Sequence, residues 1–163
     1  MRTRRRKAIR ELAVAVQYAS RARYLPPRPS VERWVRGALE GHRDDAHLTV
    51  RIVGREEGRH LNERFRGLVG PTNVLSFPFD APPGAPAAGE IGDVVLCAPV
   101  VNREARNQDK PRDDHWAHLV VHGVLHLLGH DHDTPAAARS MEELERRILA
   151  GLGVPDPYEP RDG

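Results

Sequence analysis

Residues 115–133 read HWAHLVVHGVLHLLGHDHD, and this stretch holds six of the nine histidines of the chain. Residues 116–128 are apolar nearly all round, which predicts a central buried helix. Burying imidazoles in such a helix is costly unless each one has a partner, and a metal ion is an efficient partner. The stretch therefore predicts both the centre of the fold and a candidate metal site.

The spacing of these histidines favours one shared ion. Four residues of α-helix turn the chain through ~400° and advance it ~6 Å, so His122 and His126 project from one face. Gly129 is placed to end the helix in a left-handed conformation, after which the chain can fold back and present His132. Three neutral imidazoles leave the fourth tetrahedral position of zinc for a bound water, as in catalytic zinc sites.

Two alternatives bear on this interpretation. The pattern HxxxH alone is weak, because many such pairs are ordinary surface or core histidines, whereas HxxxHxxGxxH over residues 122–132 is more specific. His118 lies one turn before His122 and is a possible ligand, but we favour a core histidine or a side chain that orients a ligand. Zinc proteases of the HExxH type carry a general-base Glu at the position that Gly123 occupies, so a zinc peptidase is disfavoured.

Outside the histidine helix, strands and helices occur in clusters rather than in strict alternation, which favours an α+β fold. We expect a single domain in which a small mixed sheet of about four strands packs with about five helices, with the metal site on a central helix. Pro78 indicates that the third strand lies at an edge of the sheet or that the strand ends there. Ser30 is expected to cap the first helix and Gly41 to end it. The predicted strands are 11–18, 48–52, 73–79 and 91–97, and the further helices are 56–65, 99–109, 114–128 and 135–150.

The composition is that of an ordinary globular domain. The chain has 163 residues, of which 39% are hydrophobic and 29% charged. No apolar run approaches the ~18 residues that cross a bilayer, and no secretory signal follows the charged N-terminus. Cys97 is the only cysteine, which excludes an internal disulfide and a cysteine-based zinc site. We therefore expect a cytoplasmic protein with no membrane association.

The charge is unevenly distributed along the chain. Residues 1–10 contain six basic residues and no acid, whereas the remainder is net negative. Such an arm can attract a polyanion by releasing counterions, or it can be a solvated and flexible extension, which we favour. We accordingly divide the chain into a basic arm (1–10), a catalytic domain (11–158) and a short tail (159–163).

The segment HGVLHLLGHDH (122–132) resembles the signature H-G-x-L-H-L-x-G-Y-D-H of the YbeY family of metal-dependent endoribonucleases. The segment LNERFRGLVGPTNVLSFPFD (61–80) is similar to another block of that family, and GEIGDVVLC (89–97) and HWAHLVVHG (115–123) also match. The resemblance covers roughly residues 48–158. This chain departs from the signature at His130, which stands in place of the tyrosine and is itself a possible metal ligand.

The resemblance implies an enzyme that cuts single-stranded RNA in the cytoplasm. Its role would be maturation of ribosomal RNA, particularly the 3′ end of the small-subunit (16S) RNA, and ribosome quality control, so its partners would be ribosomal RNA and the small ribosomal subunit. It implies one zinc ion per chain on His122, His126 and His132, with no nucleotide cofactor. It also marks Arg66 as functionally important, and a guanidinium is a suitable clamp for phosphate oxygens beside a zinc-bound water.

The remaining candidates are supporting residues, and no side chain stands out as the general base. Thr72, Asn73 and Ser76 are candidates for RNA contacts, although they suit local turn geometry equally well. His118, His130 and Asp131, with Asp133, are candidates for orienting the metal ligands. A second hypothesis from another class is a ribosome-assembly factor that binds RNA without cutting it and holds a structural zinc.

Overall fold

The computed structural model describes residues 9–80, 83–84 and 89–159, and every structural statement below concerns these residues. The predicted basic arm falls almost wholly outside them, as does most of the predicted tail. The strands are β1 (Glu11–Ala19), β2 (Asp45–Val53), β3 (Val74–Pro78) and β4 (Glu90–Cys97). The helices are α1 (Arg28–Leu39), α2 (Arg55–Arg66), α3 (Ala98–Asn107), α4 (Arg112–Leu127) and α5 (Pro135–Gly151).

The four strands form one mixed sheet in the order β1-β2-β4-β3. β2 pairs in parallel with β1 and β4, and β3 pairs antiparallel with β4. With five helices among the described residues, this arrangement confirms the predicted α+β domain. It also confirms that the strand containing Pro78 lies at an edge, where a residue without an N–H is tolerated.

The main core lies between one face of the sheet and helices α1, α4 and α5. Alternate side chains of β2 enter it, and they are Ala46, Leu48, Val50 and Ile52. Trp116, Val120 and Val124 of α4 are fully buried against them. The apolar character of α4 on most of its circumference therefore reflects its central position. Helix α2 covers part of the opposite face, over a smaller cluster that includes Val53, Val95 and Cys97.

Gly123 sets how closely α4 approaches the sheet. A Cβ atom at this position would lie 2.6 Å from Val94 Cγ1 and 3.2 Å from Val74 Cγ2. Real Cβ atoms do not come that close to a neighbour, so a side chain here would push α4 away from β3 and β4. Ser76 also donates a 2.8 Å hydrogen bond to the Gly123 carbonyl oxygen, which ties α4 to the edge strand.

The start of α1 corrects one prediction. The helix begins at Arg28 rather than after Ser30, its N-cap residue is Pro27, and no side chain caps it. Pro29 lies in the first turn, where the missing N–H costs nothing, so the helix can start before Ser30. The predicted apolar face is confirmed, because Val31, Trp34, Val35, Ala38 and Leu39 are all buried.

None of the helices in the described part of the chain is both long and apolar enough to cross a membrane.

Candidate metal centre

Three imidazoles converge at the end of α4. His122 and His126 project from the helix, and His132 comes from the loop that follows it. One nitrogen of each ring lies within 4.8 Å of one nitrogen of the other two. The ring centroids are 4.7 Å apart for His122 and His126, 5.8 Å for His122 and His132, and 5.1 Å for His126 and His132. Nitrogens this close can share one ion with modest side-chain adjustment.

The chain reverses direction between the second and third imidazoles. Gly129 adopts φ +97°, and the His130 N–H donates to the Leu125 carbonyl, which closes the end of α4 as predicted. Helix α5 begins a few residues later, where Thr134 Oγ1 accepts the Ala137 N–H at 3.1 Å. The short loop between these two fixed ends brings His132 back over α4.

His130 and Asp131 lie in the same loop but do not join the cluster. The His130 ring packs edge-on near His42, with centroids 6.3 Å apart. Asp131 is exposed, and its carboxylate accepts the Asp133 N–H at 3.2 Å. The arrangement therefore favours His132 over His130 as the third ligand, and no described contact joins Asp131 to a ring of the cluster.

The donor set suits a metal that prefers nitrogen. Burial lowers the pKa of His126, and the nearby His122 and His132 imidazoles lower it further. A hydrogen bond at the His130 backbone and the Glu145 carboxylate act in the opposite direction without reversing the change. A neutral imidazole has a free lone pair, which is the form that coordinates a metal.

Glu145 is a site residue that the sequence interpretation missed. It lies on α5, and only 1% of its side chain is exposed. One oxygen, Oε1, contacts His122 Nδ1 at 2.7 Å, and the other, Oε2, contacts His118 Nε2 at 2.7 Å. The Tyr158 hydroxyl also donates to Oε2 at 2.7 Å. His118 therefore reaches the metal cluster indirectly, through this carboxylate and His122.

The surroundings of Glu145 keep it ionised. Burial alone would raise the pKa of its carboxyl, but hydrogen bonds from His118, His122 and Tyr158 outweigh burial and lower that pKa to about 2. Conversely, burial and the Glu145 charge raise the pKa of the Tyr158 hydroxyl, which remains a hydrogen-bond donor. A buried carboxylate with three donors is a satisfied group rather than an isolated charge.

A cleft of about 300 Å³ opens in front of the three imidazoles. Besides these rings, it is lined by Arg66, Thr72, Asn73, Val74, Ser76 and Pro78. Arg66 is the last residue of α2, and its exposed side chain forms no ion pair with any described residue. The cleft thus combines a nitrogen donor set with an unpaired cation.

The three predicted RNA-contact residues line this cleft, but two of them already have partners within the protein. Asn73 Nδ2 donates to Glu104 at 3.1 Å, and Asn73 Oδ1 accepts the Val74 N–H at 2.6 Å. Ser76 donates to the Gly123 carbonyl. These bonds give Asn73 and Ser76 a local structural role, so Thr72 is the one of the three with no such bond among the described residues.

Comparison with known proteins identifies the family. The model of the family described as Endoribonuclease YbeY matches residues 19–153. The chain belongs to the YbeY family. Proteins named Endoribonuclease YbeY are 60% identical in Alkalilimnicola ehrlichii, over 90% of this chain and 91% of the relative, and 55% identical in Halorhodospira halophila, over 93% and 99%. A third, from Stenotrophomonas maltophilia, is 51% identical over 90% and 93%.

The YbeY match confirms the resemblance that the histidine signature indicated. Its span includes the whole cleft, from Arg66 to His132, and also Glu145, whereas Tyr158 lies beyond it. A solution structure from Thermotoga maritima aligns over 90% of this chain and 99% of that one, with a TM-score of 0.49 and 21% identity. That similarity is too distant to bear on the function.

Cleft size alone would not have located the centre. A larger cleft of about 830 Å³ lies elsewhere, and it is lined by Arg23, Arg55, Arg106 and Arg112 among others but by no histidine. The smaller cleft is the candidate site because it contains convergent groups with the chemistry that a metal requires.

Proposed function

We propose that this chain is a metal-dependent endoribonuclease that binds one zinc ion through His122, His126 and His132. The observation that supports the proposal best is the convergence of three imidazole nitrogens within 4.8 Å of one another in a cleft that also contains Arg66. Three protein ligands leave zinc a position for solvent or substrate. The names of the relatives in the YbeY family support RNA as the substrate.

The chemistry follows from the charge that develops during phosphodiester cleavage. When bound, zinc supplies a Lewis acid for a phosphate oxygen and lowers the pKa of a coordinated water. The exposed Arg66 guanidinium binds the same phosphate and offsets its growing negative charge, since its fork of N–H donors matches phosphate oxygens. Thr72 lines the same cleft, and in this proposal its hydroxyl hydrogen-bonds to the RNA backbone.

We infer that the substrate is single-stranded RNA, and specifically ribosomal RNA near the 3′ end of the small-subunit RNA, processed in the cytoplasm on or near the small subunit. Membership of the YbeY family supports this choice. The cleft is lined on one side by Val74, Ser76 and Pro78, which lie on one face of the edge strand β3. Single-stranded RNA exposes the bases and backbone that a protein cleft can contact, whereas a duplex hides its base edges in the grooves.

A peptidase remains disfavoured on a second ground. The absence of a general-base Glu at position 123 already argued against it, and Gly123 also packs directly against the sheet. A side chain at that position would collide with Val94, because even a Cβ would lie 2.6 Å from Val94 Cγ1.

A nuclease assay on purified protein tests the proposal. The substrate is a single-stranded RNA that spans the 3′ end of small-subunit RNA, and the protein is assayed with zinc, with a chelator, and as His126→Ala and Arg66→Glu. We expect chelation and His126→Ala to abolish cutting, and Arg66→Glu to lower it about 10²–10³-fold while zinc content is unchanged. Arg64→Glu is the matched control, because Arg64 is exposed on the same helix but does not line the cleft.

The other outcomes are also informative. Cutting that ignores both substitutions would come from a contaminating nuclease. RNA binding by a zinc-loaded protein that never cuts would contradict the proposal and support the assembly factor with a structural zinc.

A further inference from the structure

The buried carboxylate on α5 provides more than packing. Glu145 lies between two histidines of α4 that are one turn apart, and it contacts each with a different oxygen. Its neighbours on the buried face of α5 are apolar, namely Met141, Ile148 and Leu149. A carboxylate in an apolar stripe of this kind is costly to bury, so its position calls for a specific partner.

The hydrogen bonds around Glu145 determine which nitrogen of His122 carries a proton. An ionised carboxylate only accepts hydrogen bonds, so every group that bonds to Glu145 must donate. With the carboxylate ionised, His122 carries a hydrogen on Nδ1 and His118 carries one on Nε2. The Tyr158 hydroxyl supplies the third donor, to the same oxygen that His118 contacts.

The hydrogen on Nδ1 determines the state of the other ring nitrogen of His122, Nε2. With its hydrogen on Nδ1, a neutral His122 presents the lone pair of Nε2, and this atom lies 3.1 Å from Nε2 of His126 in the cluster. Free histidine prefers the opposite tautomer, with the hydrogen on Nε2, which cannot bind a metal through that atom. Glu145 thus favours the tautomer that the metal site needs.

We propose that Glu145 is a positioning residue of the metal centre: it fixes the tautomer and ring orientation of His122, and His118 and Tyr158 hold its second oxygen in place. This inference rests on the proposed metal site and adds a role for residues outside the cleft. Outer partners of this kind typically change metal affinity by ~10–100-fold when they are removed.

The first test observes the tautomer of His122 directly. In the metal-free protein with ¹⁵N-labelled histidines, a long-range ¹H–¹⁵N spectrum reports which nitrogen of His122 is protonated. We expect a protonated Nδ1 and a bare Nε2 in the wild type, and a return toward the opposite tautomer in Glu145→Leu. A wild-type His122 protonated on Nε2, or a tautomer that Glu145→Leu leaves unchanged, would overturn the inference.

The second test measures zinc affinity by competition with a chromophoric chelator. We expect a loss of ~10–100-fold in Glu145→Leu, and a smaller loss in Glu145→Gln, because the amide oxygen can still accept the Nδ1 hydrogen. Glu143→Gln is the matched control, since Glu143 is exposed on the same helix, and its affinity should equal that of the wild type. Glu145→Leu with wild-type affinity would contradict the inference.

A second set of side chains could also bind a metal ion, and a further experiment distinguishes it from the proposed centre. His118, His122 and Glu145 also bring one donor atom each within 4.8 Å of one another, and they would compete with the proposed centre for His122. Zinc that persists in His126→Ala but is lost in Glu145→Gln would make Glu145 a ligand and overturn the inference.

Neither readout depends on RNA cleavage, so the two proposals fail separately. A protein with the expected tautomer and zinc affinity that cuts no RNA would contradict the endoribonuclease and leave the role of Glu145 intact.

Discussion

Two of the carboxylate–histidine pairs on helix α4 look alike but have different surroundings. Near its start, His115 Nε2 contacts Glu104 at 3.1 Å, and near its end, His122 Nδ1 contacts Glu145 at 2.7 Å. The second nitrogen of His115 is buried without a hydrogen-bond partner, whereas the second nitrogen of His122 faces His126 in the cleft. We therefore interpret the His115 pair as structural, because its second nitrogen is enclosed, and the His122 pair as part of the proposed metal centre.

The largest expected effect is on zinc affinity, and it is measured by substituting His122 and His115 separately. We expect His122→Ala to lose stoichiometric zinc, with a fall in affinity greater than the ~10–100-fold typical of an outer partner, because a direct ligand is gone. We expect His115→Gln to keep the zinc affinity of the wild type, since an amide can still donate to Glu104. Zinc titration of both variants, with circular dichroism to verify folding, makes the comparison. Equal losses in both would show that the two pairs do not differ in function.

A smaller effect, on the free energy of unfolding, should follow from a substitution that forces α4 away from the sheet. The cleft of the proposed metal centre is lined by residues of both α4 and β3, so it depends on how closely α4 approaches the sheet, and Gly123 sets that distance through its approach to Val94. Gly123→Ala should lower the free energy of unfolding by about 1–3 kcal/mol, the usual cost of overpacking. Urea unfolding of the metal-free proteins measures this change. Gly151→Ala is a suitable control, because a Cβ there meets no atom within 4 Å. An unchanged stability in Gly123→Ala would contradict the tight packing.

The smallest effect concerns the structural pair alone. Burial raises the pKa of Glu104, but hydrogen bonds from His115 and Asn73 outweigh it and hold that pKa below the ordinary value of 4.5. A lowered pKa stabilises the folded state above pH 4.5, and the contribution is lost as the pH falls through the folded pKa. Glu104→Gln should therefore cost about 1 kcal/mol at pH 6 and progressively less below pH 4.5. Unfolding curves at several pH values measure the trend, and a cost that grows as the pH falls would contradict it.

The sequence predicted the parts of the site that are close together in the chain. His122, His126 and the turn at Gly129 lie within one helix and its end, where spacing and conformational preference are local properties. The path of the loop after Gly129 was harder to predict from the sequence. The loop carries both His130 and His132, and either could be the one that turns toward α4. Only their packing, against His42 or over α4, distinguishes them.

Glu145 escaped prediction because its partners are far away in the sequence. His122 lies 23 residues before it, and the contact exists only because α5 packs on α4. The one local sign was an acidic residue on the apolar stripe of α5, between Met141 and Ile148. The start of α1 was misplaced for a simpler reason, since a favourable cap residue at Ser30 was preferred over a helix that starts beside two prolines.

The most direct test of the account is a crystal structure of the zinc-loaded protein with anomalous diffraction collected at the zinc edge. We expect one strong peak at ~2.0–2.1 Å from a nitrogen of His122, His126 and His132, with Glu145 bonded to His122 rather than to the metal. A peak enclosed by His118, His122 and Glu145, or zinc coordinated by His130 in place of His132, would contradict the proposed centre.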